Sequence, residues 1–243
     1  MKVAAIIQAR MGSSRLPGKI LKKVLGKPLL AFQLERVEQS KQIDELLVAT
    51  TNKAIDADVA NLCESLGFSY FRGSEADVLE RYYKAAIQVK ADVVVRLTGD
   101  CPIIDPQVID KIIGDYLLRF HEYQYVSNTL NRTFPRGMDA EVFSFQALKR
   151  AHSHAVSSID REHVTRYLVN NPEMFNLFNV SHSEDYSQHR WTVDTHEDFI
   201  LISKIIEALY PSTPQFTMKD VIHLLEKNSD WRLINTHIQQ KKD

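Results

Sequence analysis

The chain has 243 residues, with 30 Lys and Arg against 31 Asp and Glu; the formal net charge is −1 and 25% of residues are charged. That balance excludes a general attraction to nucleic acid or to an anionic membrane, so any phosphate site must come from local geometry. The length suits one large α/β domain spanning 1–243.

The first apolar run is short and broken by Gln8 and Arg10, which fits neither a signal sequence nor a membrane span. Cys63 and Cys101 lack metal-type spacing and read as reduced thiols, with a single pairing left open. A cytoplasmic protein without nucleic-acid or membrane partners is expected. Neither repeats nor low-complexity tracts are present.

Taken in chain order, a strand over 2–8 runs into Ala9-Arg10-Met11-Gly12-Ser13-Ser14-Arg15-Leu16-Pro17-Gly18-Lys19. Glycine lets the backbone approach a ligand closely, and unpaired loop N–H groups form an anion nest. Arg15 and Lys19 add a planar fork and a point charge, so the loop suits a polyphosphate. It matches neither the P-loop nor the G-x-G-x-x-G frame. The plain alternative is a basic surface turn.

A helix over 29–39 follows, then a strand over 45–50 closed by Thr50-Thr51-Asn52. The next helix, 54–66, is expected to bury Ile55, Val59, Leu62 and Leu66 and to stop at Gly67. A strand at 68–71, a helix at 76–89, a Val-rich strand at 92–97 and a helix at 106–120 complete a βα rhythm. That rhythm predicts a doubly wound, mostly parallel sheet. Ligands in such sheets lie at the carboxyl ends of strands. Four places qualify: the opening loop, Thr51, the Arg72-Gly73-Ser74 turn, and Thr98-Gly99-Asp100. Together they outline one cleft.

Arg72 and its turn suit a nucleoside, whereas Ser74 equally suits a helix cap in a capping-box frame with Asp77. Asp100, just past a buried strand, is placed either to hold Mg²⁺ or to cap the turn before Pro102.

Beyond 120 the rhythm changes. Short strands are expected at 123–126, 138–142, 175–180 and 191–193, a long loop at 127–136, and a helix near 160–170. Residues 127–188 read as an inserted α+β segment carrying acceptor contacts, an oligomer surface, or both. Asp139 and Glu141 would share one face of a strand, open to sugar hydroxyls, a second metal or water. His163 and Arg166, three apart, would share a helix face and grip an acidic acceptor; the alternative is a solvated face with a Glu162–Arg166 pair. His152, His154, His182 and His189 show no ligand spacing. Asp194 precedes a helix over 196–209, so Asp194 or Thr195 is either its cap or, for Asp194, a metal ligand. A last helix at 217–227 leads to a polar, frayed end at 239–243.

The segment Ile7 to Lys19 resembles the opening signature of the sugar-acid cytidylyltransferases. Arg-Leu-Thr-Gly-Asp-Cys-Pro at 96–102, Arg-Gly-Met-Asp-Ala-Glu at 136–141, Arg-Glu-His-Val-Thr at 161–165 and Trp-Thr-Val-Asp-Thr at 191–195 resemble the spore-coat polysaccharide branch in the same order. The resemblance spans nearly the whole chain. It implies a three-layer, Rossmann-like nucleotide-diphospho-sugar transferase fold. It also implies a Mg²⁺-dependent reaction in which a sugar-acid hydroxyl attacks the α-phosphate of CTP, giving a CMP-sugar for surface polysaccharide and pyrophosphate.

On this basis Arg10, Gly12, Ser13, Arg15 and Lys19 hold the nucleotide, with Thr51, Arg72, Ser74 and Thr98 completing its site. Arg15, Lys19 and Asp100 would be catalytic, Asp100 and Asp194 would hold Mg²⁺, and Arg136, Asp139, Glu141, His163 and Arg166 would meet the acceptor. A homodimer through 127–188 is implied as well. Relatives that activate 3-deoxy-octulosonate carry Gln, which helps to read cytosine, where this chain has Thr98; one hydroxyl cannot present an amide's donor and acceptor. Other readings are a non-sugar acceptor such as a phosphonate, a nucleotide-sugar glycosyltransferase, or a silent nucleotide-binding partner. Asp100-Cys101-Pro102 lacks the Asp-x-Asp of many glycosyltransferases, and the joint presence of Arg15, Lys19, Asp100 and Asp194 disfavours a silent partner.

Overall fold

The computed structural model describes residues 1–240. In chain order its strands and helices are β1 (Val3–Gln8), β2 (Lys23–Val24), β3 (Lys27–Pro28), α1 (Leu29–Val37), β4 (Glu45–Thr51), α2 (Ala57–Leu66), β5 (Ser69–Gly73), α3 (Val78–Gln88), β6 (Val93–Thr98) and α4 (Pro106–Leu118). Then come β7 (Tyr125–Ser127), β8 (Glu141–Ser144), α5 (Phe145–His154), α6 (Ser158–Glu162), α7 (Arg166–Asn170), β9 (Leu177–Asn179), α8 (His196–Leu209) and α9 (Met218–Lys227).

Seven strands form one sheet in the order β5-β4-β1-β6-β8-β7-β9, and β2 and β3 make a separate small ribbon. β1, β4, β5 and β6 are parallel, and β8 alone runs against its neighbours β6 and β7. The expected mostly parallel α/β sheet is therefore present. Strands of the 127–188 segment continue this same sheet.

Helices cover both faces, which is why the central strands are apolar at every position rather than at alternate ones. Val3, Ala5 and Ile7 of β1 pack with residues of α1, α4, α8 and α9, whereas Ala4 and Ile6 pack with α3 and α5. Tyr82 of α3, fully buried, donates its hydroxyl to the carbonyls of Ile6 and Leu97 at 3.0 and 3.1 Å, tying β1 to β6 near their carboxyl ends. Among the described residues no helix is long and apolar enough to cross a membrane.

Several expectations need correction. The 54–66 helix begins as a 3₁₀ turn (Ala54–Asp56) and buries Val59, Ala60 and Cys63, leaving Ile55 and Leu66 in solvent. The change of pitch rotates Ile55 off the buried stripe. Gly67 ends the helix with φ +77°, as expected. The 160–170 helix is two short helices broken at 163–165, and α5 was not anticipated. Residues 191–193 form no strand; Arg136 and Arg190 make only an isolated bridge. Of the expected frayed end, 241–243 lie outside the described residues.

Candidate active site

β1 and β6 end side by side, Gln8 opposite Thr98, where the strand order reverses direction. Such a switch point opens a crevice at the strands' carboxyl ends. Gly99 allows the close approach: a Cβ there would stand 2.9 Å from Ala9 Cβ and 3.0 Å from the Gln8 carbonyl oxygen. Its own N–H donates to that carbonyl at 2.8 Å.

The opening loop folds back on itself. The N–H groups of Ser13 and Gly18 both donate to the Met11 carbonyl, at 2.9 and 3.1 Å. Gly18 takes φ +66°, and the 3₁₀ turn Lys19–Leu21 then carries Lys19 inward. Asp56, buried, accepts the Met11 N–H at 2.6 Å and the Thr51 hydroxyl.

Lys19 is the centre of the charge network. Its ammonium donates to Asp100 Oδ2 at 2.8 Å and to Asp194 Oδ1 at 2.7 Å. Asp194 Oδ2 takes Arg15 at 2.9 Å and Arg190 at 2.7 Å. Burial opposes ionisation of Asp100, but the adjacent Lys19 charge and its hydrogen bond hold the carboxyl down at about 2. Burial likewise opposes the Lys19 charge, and the Coulombic pull of Asp100 and Asp194 outweighs it, raising the ammonium above its ordinary value.

Asp194 is not the cap of α8. Thr195 and Asp198 form a reciprocal capping box at the start of α8. Asp194 is left to face the cleft. Its motif is tied to Asp100 through the backbone, since the Val193 N–H donates to the Asp100 carbonyl at 2.8 Å.

Two cavities meet at this cluster. One, about 260 Å³, is lined by Arg10, Gly12, Ser13, Arg15 and Lys19; the other, about 320 Å³, by Arg96, Arg132, Arg136, Asp139 and Glu141. Both include Thr98, Asp100 and Asp194. A third, about 180 Å³, continues from the loop past Gln8 and Arg10 to Arg81, Arg96 and His163.

The structure thus brings Arg10, Gly12, Ser13, Arg15, Lys19, Thr98, Asp100 and Asp194 together. Other candidates serve the scaffold. Thr51 is fully buried with its hydroxyl on Asp56. Arg72 donates from Nε and Nη2 to the carbonyls of Thr51 and Lys53 at 2.9 and 2.8 Å, which pins this side of its guanidinium to the backbone. Ser74 accepts the Asp77 N–H at 3.0 Å, but Asp77 itself caps α3. The expected single cleft therefore narrows to two strand ends, β1 and β6. The Thr51 and Arg72 strand ends support it through Asp56 and through Glu75, which pairs with both Arg10 and Lys53.

On the far side, Asp139 pairs with Arg132 through both oxygens. Glu141 lines the cavity, yet it accepts Tyr125 and Thr165 hydroxyls at 2.6 and 2.7 Å and pairs with Arg96. Burial would raise its pKa, and Arg96 with those donors lowers it instead. Glu141 is therefore a structural charge rather than a free acceptor contact. His163 and Arg166 do not share a helix face: His163 ends α6, Arg166 starts α7, and Arg166 lies 3.4 Å from Asp160 rather than near Glu162. His163 reaches the third cavity without it.

Arg190 and Asp56 escaped sequence reasoning. Arg190, 7% exposed, grips Asp194, Asp198 and the Gln240 side chain. Its position just before Trp191 in a motif was the available signal. Asp56 offered none, because its partners lie 5 and 45 residues away.

Gly137 joins the two acidic motifs. It takes φ +101°, and a Cβ would meet the Trp191 carbonyl carbon at 2.6 Å and the Thr192 nitrogen at 2.9 Å. Gly137→Ala should cost at least about 3 kcal/mol, from backbone strain plus a clash that no side chain can relieve. A urea titration showing less than about 1 kcal/mol of loss would contradict this packing.

A family model for cytidylyltransferases matches residues 4–230. The spore coat polysaccharide biosynthesis protein SpsF of Bacillus subtilis is 37% identical over 93% of this chain and 94% of its own. A 3-deoxy-manno-octulosonate cytidylyltransferase of Anaeromyxobacter is 38% identical over a shorter stretch, 46% of each chain. The solved structure of a cytidylyltransferase from Leptospira borgpetersenii superposes with a TM-score of 0.92 at 36% identity, covering 100% of both chains. These matches agree with the sheet order: the chain belongs to the cytidylyltransferase family and is a nucleotidyltransferase.

Proposed function

We propose that the protein transfers CMP from CTP to an acidic acceptor of the sugar-acid kind, with Mg²⁺, releasing pyrophosphate. The acceptor hydroxyl oxygen forms a new bond to the α-phosphorus and gives up its proton to solvent, and the bond from that phosphorus to the pyrophosphate oxygen breaks, the electron pair leaving with pyrophosphate. The observation that carries the reading is the convergence of Asp100 and Asp194 on one cation, the Lys19 ammonium, where the two cavities meet.

The donor set suits Mg²⁺: two hard carboxylates already aimed at a positive charge. Among the described residues no cluster of three or more His, Cys, Asp or Glu could supply a protein-only cage. Mg²⁺ is ordinarily held by one or two carboxylates plus substrate phosphate and water. When bound it would neutralise charge at the phosphates. Arg15, Lys19 and the N–H groups of Gly12, Ser14 and Arg15, which are not bonded within the loop, would take the remaining phosphate charge and stabilise the leaving pyrophosphate.

The third cavity suits the nucleobase. Gln8 carries there the amide that Thr98 lacks, since the two side by side end β1 and β6. Arg96 donates to Gln8 Oε1 at 3.3 Å, which leaves the amide hydrogens for a ligand. A donor matches N3 of cytosine and meets another N–H at N3 of uracil. Gln8→Leu should therefore cut the CTP-over-UTP preference by at least about tenfold in kcat/KM. An unchanged ratio would exclude Gln8 from base selection.

Pyrophosphate release from CTP and Mg²⁺, assayed across sugar acids and phosphonates, tests the overall reading. Release that requires an acidic acceptor is expected; no release with any of them counts against it.

A further inference from the structure

Arg81 of α3 is a buried charge without a counter-charge. It is 2% exposed, and no carboxylate among the described residues pairs with it. Its Nη1 donates to the Ser74 carbonyl, while its Nε–H, sealed from solvent, meets no acceptor among the described residues. Glu75 and Asp56 act on it through space, but both are engaged elsewhere. Glu75 holds Arg10 and Lys53, and Asp56 holds the Met11 N–H and the Thr51 hydroxyl. Burial therefore dominates and lowers the guanidinium below its ordinary value.

Such a charge is costly to bury unless something accepts from it. The side chain is nonetheless built in: its stem lies against Gly73, where a Cβ would stand 3.0 Å from Arg81 Cγ. It lines the cavity of about 180 Å³ that Gln8 also lines. A ligand in that space offers the acceptor that the fold withholds.

The walls of the cavity indicate the kind of acceptor. Gly12, Ser13, Arg15 and Lys19 line the neighbouring cavity and not this one, whereas Arg81 lines this one and not its neighbour. Glu75 and Glu162 also line it, and two carboxylates disfavour a polyphosphate there. A neutral ring with polar edges fits better. On their pairing edges, only cytosine among the four nucleobases sets a ring-nitrogen acceptor beside a carbonyl oxygen. The Gln8 amide matches the first, and a guanidinium N–H matches the second.

We propose that Arg81 is a base-reading residue, donating to O2 of the cytosine ring while Gln8 donates to N3. This rests on the assignment of the third cavity to the nucleobase. The orphaned charge then gains its acceptor when CTP binds, and base binding recovers part of what its burial costs.

Calorimetric titration of the full chain in Mg²⁺ with CTP, 2-thio-CTP or ribose 5-triphosphate tests the contact. In 2-thio-CTP a sulfur, a weaker acceptor, replaces O2, so the unaltered protein is probed directly. In ribose 5-triphosphate a hydroxyl replaces the base. The wild type should bind CTP at least about tenfold more tightly than 2-thio-CTP, the scale of one hydrogen bond to a charged group. Arg81→Met should bind CTP at least about tenfold more weakly than the wild type and lose the preference between the two nucleotides. Its affinity for ribose 5-triphosphate should stay that of the wild type. Equal wild-type affinity for CTP and 2-thio-CTP, while CTP still outbinds ribose 5-triphosphate, overturns the proposal and spares the nucleobase assignment. So does a loss of ribose 5-triphosphate binding in Arg81→Met that equals its loss of CTP binding. Wild-type CTP binding no tighter than that of ribose 5-triphosphate rejects the nucleobase assignment itself, and the proposal with it.

Discussion

Lys19→Met should lower turnover by at least about 10²–10³-fold while the circular dichroism spectrum stays that of the wild type. That is the usual cost of deleting one preorganised charge from a site where charge develops. The side chain is partly buried, contacts both carboxylates within 2.8 Å, and projects from a turn whose backbone does not depend on it. Its loss also leaves Asp100 and Asp194 facing one another without their shared cation. The Asp100 carboxyl, now held at about 2, should then rise toward or beyond its ordinary 3.8.

The sign of the pH effect follows from that shift. A depressed carboxyl stabilises the fold above its unfolded value, and the contribution disappears as pH falls through about 2. The raised Lys19 value adds stability below its ordinary 10.5 that is lost on titration above it. Lys19→Met should therefore flatten both arms of the stability curve, while Lys19→Arg should restore the acid arm better than the turnover. A planar fork can neutralise one carboxylate but does not place a single point charge between two. Turnover of Lys19→Met within about fivefold of wild type would remove Lys19 from the phosphate machinery.

The sequence exposed the features that depend on local rules. The Val-rich β6, buried on both faces, and the Gly67 stop are visible as patterns, and the start of α8 is visible because Thr195 suits a cap and Asp198 a first helical turn. The loop and Asp100 were legible as strand-end residues, since a switch point gathers them whatever the details of the helices. What could not be read depends on distant partners. Nothing local says that Glu141 would be consumed by Arg96, Tyr125 and Thr165, or that Arg72 would be pinned by the carbonyls of Thr51 and Lys53. The same limit applies to Arg190, whose contacts with Asp194 and Asp198 lie close in sequence but whose contact with Gln240 does not. The break in the 160–170 helix comes where the backbone turns extended at His163 (φ −106°, ψ 92°), and the Thr165 hydroxyl beside it is held by Glu141, 24 residues away, a partner no local pattern shows.

Asp100→Asn and Asp194→Asn should both raise the Mg²⁺ concentration needed for half-maximal turnover, by at least about tenfold, and both should depress turnover at saturating Mg²⁺ by about 10²-fold. An amide keeps the carboxylate's shape and removes its charge. It also turns one oxygen into an N–H group that cannot accept from Lys19. The two variants should differ in the ligand-free protein. Asp100 accepts from one cation, Lys19, beside the neutral Thr98 and the Cys101 thiol at 3.6 Å, whereas Asp194 also neutralises Arg15 and the 7%-exposed Arg190. Removing one partner of a buried charge leaves the other uncompensated, so Asp194→Asn should lower the Tm more than Asp100→Asn. Arg190 keeps Asp198 at 2.9 Å, which limits the loss and should allow the variant to fold. Mn²⁺ binding in the presence of CTP, followed by electron paramagnetic resonance, separates the metal effect from turnover. A variant that keeps both the wild-type Mn²⁺ affinity and the wild-type Mg²⁺ titration has lost nothing that holds a metal, and its carboxylate would then serve Lys19 alone.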